Sequence, residues 1–239
     1  MKSTLLSFSA AALLLFSSCD FNNERVRGNG NVITENRNSA IFHSLDVSGA
    51  VHVYIKQDSV SSIRVETDEN LVPYVKTVSD GATLRIYTDD DYNLSATKIV
   101  KVFVSGPTWS HIEVSGASHV NGETKVSNTG KIGLHATGAS SIKLDLDAPS
   151  VDAELSGASH MSLSGTTKDF TADGSGASRL KCFGLMAENT NVDMSGASNA
   201  EVFASVTLDA DASGASHIIY RGNANVNQRS SGAGSVSKN

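Results

Sequence analysis

The tetrapeptide Ser-Gly-Ala-Ser, returning at near-constant intervals, constrains this chain more than any other feature. Copies begin at Ser115, Ser156, Ser175, Ser195 and Ser213; Thr137 opens a variant, and Ser48 and Ser231 open outlying copies. The motif glycines Gly116, Gly138, Gly157, Gly176, Gly196, Gly214 and Gly232 follow one another at 22, 19, 19, 20, 18 and 18 residues, with Gly49 standing earlier. Self-similarity at a fixed period marks a repeat architecture, in which one unit cannot bury its apolar face alone and a stack of units can.

The residues around each glycine give the kind of unit. Two residues before it stand Val47, Val114, Ala136, Leu155, Gly174, Met194 and Ala212; four residues after it stand Val53, Val120, Ile142, Met161, Leu180, Ala200 and Ile218. The positions between are mostly polar. This period of two belongs to strands with one buried face. The prediction is an all-β fold, a right-handed parallel β-helix with coils of about 19 residues, its hand following the rule for parallel crossovers. Each glycine marks a bend where φ is positive or a Cβ would not fit. A propeller blade needs about 40–45 residues, and a calcium-binding roll needs a Gly-Gly-x-Gly-x-Asp nonapeptide that is absent. Ser118, Ser140, Ser159, Ser178, Ser198 and Ser216 share the inward parity, so a hydrogen-bonded stack of buried hydroxyls is expected. Residues 111–239 hold the regular coils. Residues 28–110 are β-rich with looser periodicity, and the 67 residues between Gly49 and Gly116 have room for about three more coils. Leu71–Val75 interrupts them as a short helix or an extended crossing.

The N-terminus is an address. Lys2 precedes the apolar run Leu5–Phe16, which is too short to span a bilayer, and Ser17 and Ser18 lead to Cys19. Leu15-Phe16-Ser17-Ser18-Cys19 is similar to the lipobox of bacterial lipoproteins, which implies that Cys19 is the lipidated first residue of the mature protein, with residues 20–27 as a tether. Cys182 is then the remaining thiol, at an apolar position that suits a small core residue. A net charge of -6 argues against a nucleic-acid partner.

A second resemblance rests on Gly28-Asn29-Gly30-Asn31-Val32, on Phe42-His43-Ser44-Leu45-Asp46-Val47-Ser48-Gly49, on Glu69-Asn70-Leu71 and on the serial motifs. Together they resemble the head GIN domain family of auto-transporter adhesin-like proteins, over roughly residues 28–235. The resemblance implies a secreted or lipid-anchored β-helix of a Gram-negative envelope. It carries no agreed catalytic residues.

Two outward columns could carry chemistry. Three residues before each glycine stand Asp46, Glu113, Glu154, Asp173, Asp193 and Asp211, with His135 breaking the row; three residues after it stand His52, His119, Ser141, His160, Arg179, Asn199 and His217. Like residues in a parallel stack sit about 4.8 Å apart, so neighbouring carboxylates repel. Three readings compete: a solvated charged face, pairing across the bend with His119, His160, Arg179 and His217, or a strip binding a glycan or a divalent cation such as calcium. No Gly-x-Ser-x-Gly, His-Glu-x-x-His or Walker motif is present, and no catalytic residue is assigned. The expectation is an outer-membrane lipoprotein of the cell envelope, held to the membrane by its lipid and acting as a binding or adhesion module rather than an enzyme. A glycan or other cell-surface molecule is its candidate ligand. A carbohydrate-active β-helix lyase or hydrolase and a purely structural envelope protein are the alternatives.

Overall fold

In the computed structural model, which describes residues 24–39 and 41–239, the repeat becomes a column by residue-for-residue pairing. Leu45, Ile112, Leu134, Ala153, Ala172, Val192, Ala210 and Gln228 are successive parallel partners before the bend. Val53, Val120, Ile142, Met161, Leu180, Ala200, Ile218 and Val236 are partners after it. The fold is a parallel β-helix. Its apolar columns form one continuous buried core, because each coil lends the next a face that neither could bury alone. Cys182 lies in that core and burial raises the pKa of its thiol. The 20-residue interval has a local cause: Ser162 pairs with Lys181 but Ser164 with Gly184, so the later strand absorbs one extra residue.

The bend repeats as closely as the strands. From Gly116 to Gly232 every motif glycine has φ between +68 and +74°. The amide of the following alanine donates to the carbonyl of the glycine one coil below, from Ala117 on Gly49 at 2.9 Å to Ala233 on Gly214 at 2.7 Å. All six expected serines are buried. Their hydroxyls do not bond one another: Ser140 donates to the Val114 carbonyl at 3.0 Å and Ser216 to that of Met194 at 2.8 Å. The hydroxyls of Ser118, Ser159 and Ser178 find no partner among the described residues. For Ser140 and Ser216, one coil's rise brings a backbone carbonyl nearer than the serine hydroxyl above or below.

The structure corrects the expected path between Gly49 and Gly116. No coil intervenes, since Ile112 pairs directly with Leu45. The intervening chain crosses to the other side of the Gly49 coil. There Thr83–Thr88 pairs with Ser44–Val47 and Val100–Gly106 with Val51–Gln57, both parallel. One coil is thus laid down out of sequence order. Beyond it Val32–Arg37, Ser62–Asp68 and Val75–Asp80 add antiparallel pairings that end the stack, and Glu69–Tyr74 forms a short 3-10 helix. Residues 24–27, expected as tether, pair instead as Glu24–Arg27 with Tyr92–Ser95. Cys19 and the signal segment lie outside the described residues.

One carboxylate ties this cap together. Asp68, fully buried, accepts the Gly30 amide at 2.8 Å, the Thr97 amide at 2.8 Å and the Thr97 hydroxyl at 2.6 Å. The Thr97 hydroxyl bond holds its pKa below the usual carboxylate value against the opposing pull of burial. Asn70 accepts the Asn29 amide and donates to the Arg27 carbonyl. The Gly28-Asn29-Gly30-Asn31 phrase and the Asp68-Glu69-Asn70 phrase are therefore two halves of one hydrogen-bonded clasp.

At the other end some inward positions turn polar. Gln228, Ser230 and Lys238 stand where earlier coils carry Ala210, Ala212 and Tyr220, while Val226 and Val236 still pack on the core, so the final coil ends the apolar columns with a mixed layer. Among the described residues no helix is long and apolar enough to cross a membrane.

Candidate functional site

Three surfaces flank the glycine bends: two charged columns and one cleft. On the strand before the bend the carboxylates form a ladder. Asp46 pairs in register with Glu113, and Glu113 with His135; His135 is followed by Glu154, Asp173, Asp193 and Asp211. Arginines close both ends. Arg85 lies 3.8 Å from Asp46, and Arg229 lies 3.0 Å from Asp211. His135 stands 3.6 Å from Glu154, and His111 stands 4.0 Å from Glu113 with its ring 5.0 Å from that of His135. The middle of the ladder has no such relief: among the described residues no cation lies within ion-pair distance of Asp173 or Asp193. The pKa of Asp173 is raised, first by desolvation and then by Asp193, Glu154 and Asp152. A notch of about 350 Å³ runs along this stretch, where the Thr137, Ser156 and Ser175 positions face the carboxylates. No group of three or more His, Cys, Asp or Glu side chains among the described residues closes around a common point, as a metal ion needs.

The strand after the bend carries no acid in its matching row, and cations at Lys101 and Arg179. Lys101, His52, His119, Ser141, His160 and Arg179 follow one another in register. The His52 and His119 rings meet edge to face at 4.4 Å, and the His52 pKa is lowered by burial, then by His119 and Lys101. His119 shares a 2.6 Å hydrogen bond with Ser141, and His217 a 2.7 Å bond with Ser235. Two residues further along each strand, Phe103 stacks on Tyr54 at 5.1 Å with the Arg64 guanidinium 4.3 Å above it; Lys143 and Lys181 then follow in that row with Ser162 between them. The expected pairing of the acidic column with His119, His160, Arg179 and His217 does not occur. Its ion-pair partners are Arg85, His111, His135 and Arg229, all on the acidic side of the bend, because adjacent rungs are nearer than the far side of the corner.

The cleft lies where the repeat fails. In the coil laid down out of order the bend is replaced by residues 89–99. This excursion stands over the Gly49, Ala50 and Ala117 bends and leaves an opening of about 780 Å³. Its loop wall carries Asp89, Tyr92, Asn93, Lys98 and Ile99, and His52 faces them from the stack. Tyr92 is held edge to face on Tyr74 at 4.6 Å, and Asp89 is tied to Lys76 at 3.6 Å. Ile99 is 55% exposed, an apolar side chain left in solvent beside the polar wall. Most glycoside hydrolases place carboxyl groups on both sides of the scissile bond; here Asp89 and Asp90 share one turn, and the facing wall is Gly49, Ala50, Ala117 and His52. Sequence reading missed Arg85, His111 and the cleft. Arg229 alone was within reach, three residues before Gly232, whereas Arg85 and the cleft sit in a coil without the motif.

A family model described as "Putative auto-transporter adhesin, head GIN domain" matches residues 41–224. The chain belongs to this family. Among solved structures, a "putative adhesin" of Bacteroides fragilis NCTC 9343 superposes with a TM-score of 0.83 at 17% identity, covering 89% of this chain and 99% of that one. A "putative adhesin" of Parabacteroides merdae ATCC 43184 gives 0.70 at 19% identity, covering 90% and 99%. A "putative lipid binding protein" of Parabacteroides distasonis ATCC 8503 gives 0.67 at 21%, covering 90% and 99%. At these identities the likeness is one of fold. No curated protein matches the chain. The head GIN domain family makes this an adhesion or binding module of the cell envelope or surface, and neither the family nor these structures bears the name of an enzyme.

Proposed function

We propose that this head GIN domain protein is an envelope lipoprotein, anchored through Cys19, that binds a carbohydrate in the cleft between residues 89–99 and the Gly49 bend. The observation that carries the reading is the broken coil. From Gly116 to Gly232 the bend is a close-packed stack of glycine and alanine, flanked by a notch of about 350 Å³, whereas the excursion of residues 89–99 adds a second wall and an opening of about 780 Å³. The wall suits a sugar: the Tyr92 ring and the Ile99 side chain offer apolar surface, while Asn93, Lys98 and His52 offer hydrogen-bonding groups. Ligand sites combine such apolar lining with a few placed polar groups. A glycan array with the parent protein and with an Asn93→Ala, Lys98→Ala, Ile99→Asp variant tests this. The expected result is binding to an oligosaccharide class that the variant loses while its circular dichroism spectrum is unchanged. Equal binding by both would remove the cleft from the function.

A further inference from the structure

The two charged columns belong to the same stack, so they share one rise per coil. Their uncompensated charges lie within the same few coils, with the bases set about one coil below the acids. Glu154, Asp173 and Asp193 line one side of the Gly157, Gly176 and Gly196 bends. Lys143, Arg179 and Lys181 line the other side at the Gly138 and Gly176 bends, with His160 between them and Glu201 as the acid at the next tier. Apart from Glu154, which has His135, none of the three carboxylates has a cation within ion-pair distance among the described residues; Lys143, Arg179 and Lys181 have no carboxylate at that distance either. All six are exposed. Across one molecule the bend keeps the two rows apart.

Two copies side by side remove that separation. With the next copy shifted by one coil, its Lys143 meets Glu154, its His160 meets Asp173, and its Arg179 and Lys181 meet Asp193; because the rungs on both faces repeat at about 4.8 Å, one matched pair brings the others into register. From this geometry we infer that the protein associates with a second copy of itself, acidic face on basic face. The contact is heterologous, so each copy keeps one free face of each sign and growth continues beyond the dimer unless a ring closes. The raised pKa of Asp173 agrees with a row that lacks its counter-charge in the single molecule.

Sedimentation velocity of the full-length protein tests this at about 10 mM and about 1 M salt, where screening lengths are roughly 30 Å and 3 Å. The expected parent behaviour is concentration-dependent species larger than the monomer at low salt, lost at high salt. Arg179→Glu with Lys181→Glu, and separately Asp173→Lys with Asp193→Lys, are each expected to remain monomeric at both. An equimolar mixture of the two variants is expected to associate again, since each now presents the sign the other lacks. A parent that stays monomeric at low salt overturns the inference, as does association that neither variant weakens. Should a double variant fail to fold, the single changes Lys143→Glu and Arg179→Glu, together with the parent's salt dependence, decide the same question. Capture of an anionic polysaccharide by the basic face, without self-association, would also overturn it.

Discussion

Replacing Gly176 by Ala tests the reading of the bend most directly, because two costs can be separated. The first is conformational. Gly176 has φ +74°, and an L-residue held in the left-handed region costs about 1–2 kcal/mol. The second is the stack. A Cβ at Gly176 would lie 2.6 Å from the Gly157 carbonyl oxygen and 3.1 Å from its amide nitrogen. That carbonyl is already held by the Ala177 amide at 2.7 Å. Relief requires the two coils to part locally, weakening this bond and the neighbouring Ser175 amide bond to Leu155, at about 1 kcal/mol each. The sum is about 3–4 kcal/mol. Gly81 is the internal control: its φ is +61°, and nothing lies within 4 Å of its Cβ direction. Gly81→Ala therefore carries only the conformational cost, about 1–2 kcal/mol. Urea unfolding followed by far-ultraviolet circular dichroism gives the two values, and amide exchange at Ala177 reports whether the ladder opens locally. If Gly176→Ala loses no more stability than Gly81→Ala, the carbonyl stack does not select glycine, and glycine recurs at the bend for another reason.

Asp68→Ala leaves the Gly30 amide, the Thr97 amide and the Thr97 hydroxyl without their acceptor, and a loss of about 3 kcal/mol is expected in the same unfolding assay. Because the Asp68 pKa is lower folded than unfolded, its contribution is present above the unfolded value of about 3.9 and lost as pH falls through the folded one; Asp68→Asn should flatten that acid limb. Asp173 has the opposite sign: its folded pKa is raised, so its contribution is full below the unfolded value and lost as pH rises through the folded one. Asp173→Asn is therefore expected to match or slightly exceed the parent's melting temperature at neutral pH, and calcium to raise the parent's melting temperature no more than sodium does at equal ionic strength. A calcium-specific rise abolished by this change would show coordination by the ladder.

The regular half of the fold was legible because each coil repeats one pattern. Val114, Ala136, Leu155 and Met194 occupy one position of the repeat, and parity alone turned them inward. The hydroxyls of Ser140 and Ser216 were placed inward by the same parity, but their acceptors were not, since a backbone carbonyl one coil below has no mark in the side-chain pattern. The capped half was misread for a topological reason. Spacing between Gly49 and Gly116 suggests a length of chain to be stacked, and nothing in spacing says on which side of the Gly49 coil it is stacked. Thr83–Thr88 and Val100–Gly106 look like coil strands and are coil strands, yet the motif between them has been exchanged for the cleft loop. The charged columns were visible, but the arginines that end the acidic one were not read: Arg85 belongs to that displaced coil, while Arg229 stands at the acidic position before Gly232 and was open to the same spacing argument. The clasp about Asp68 illustrates a different limit: the Gly28–Val32 and Glu69–Leu71 phrases stood out in the sequence, but Asp68 and Thr97 did not, and only the fold shows that Asp68 and Asn70 accept the Gly30 and Asn29 amides.

An anchor at Cys19 and lateral association would reinforce each other. Glu24–Arg27 joins the capped end, beside the cleft loop. The five residue steps from Cys19 to Glu24 reach at most about 18 Å, so a lipidated Cys19 would hold the cap near the membrane and leave the polar Gly232 coil free. Copies tethered by the same end would present their long faces to one another, which is the arrangement in which columns of equal rise can meet rung by rung. In free solution a net charge of -6 on each copy opposes the approach, and exposed ion pairs contribute little individually. Tethering would strengthen the association expected in solution without any new contact, because it would raise the local concentration of partners already oriented. Were Cys19 lipidated, the same tether would limit what the cleft can meet. A cleft beside the anchored end would then suit a carbohydrate displayed at the membrane that carries the protein, whereas a ligand on a distant cell would first encounter the free end and the charged flanks.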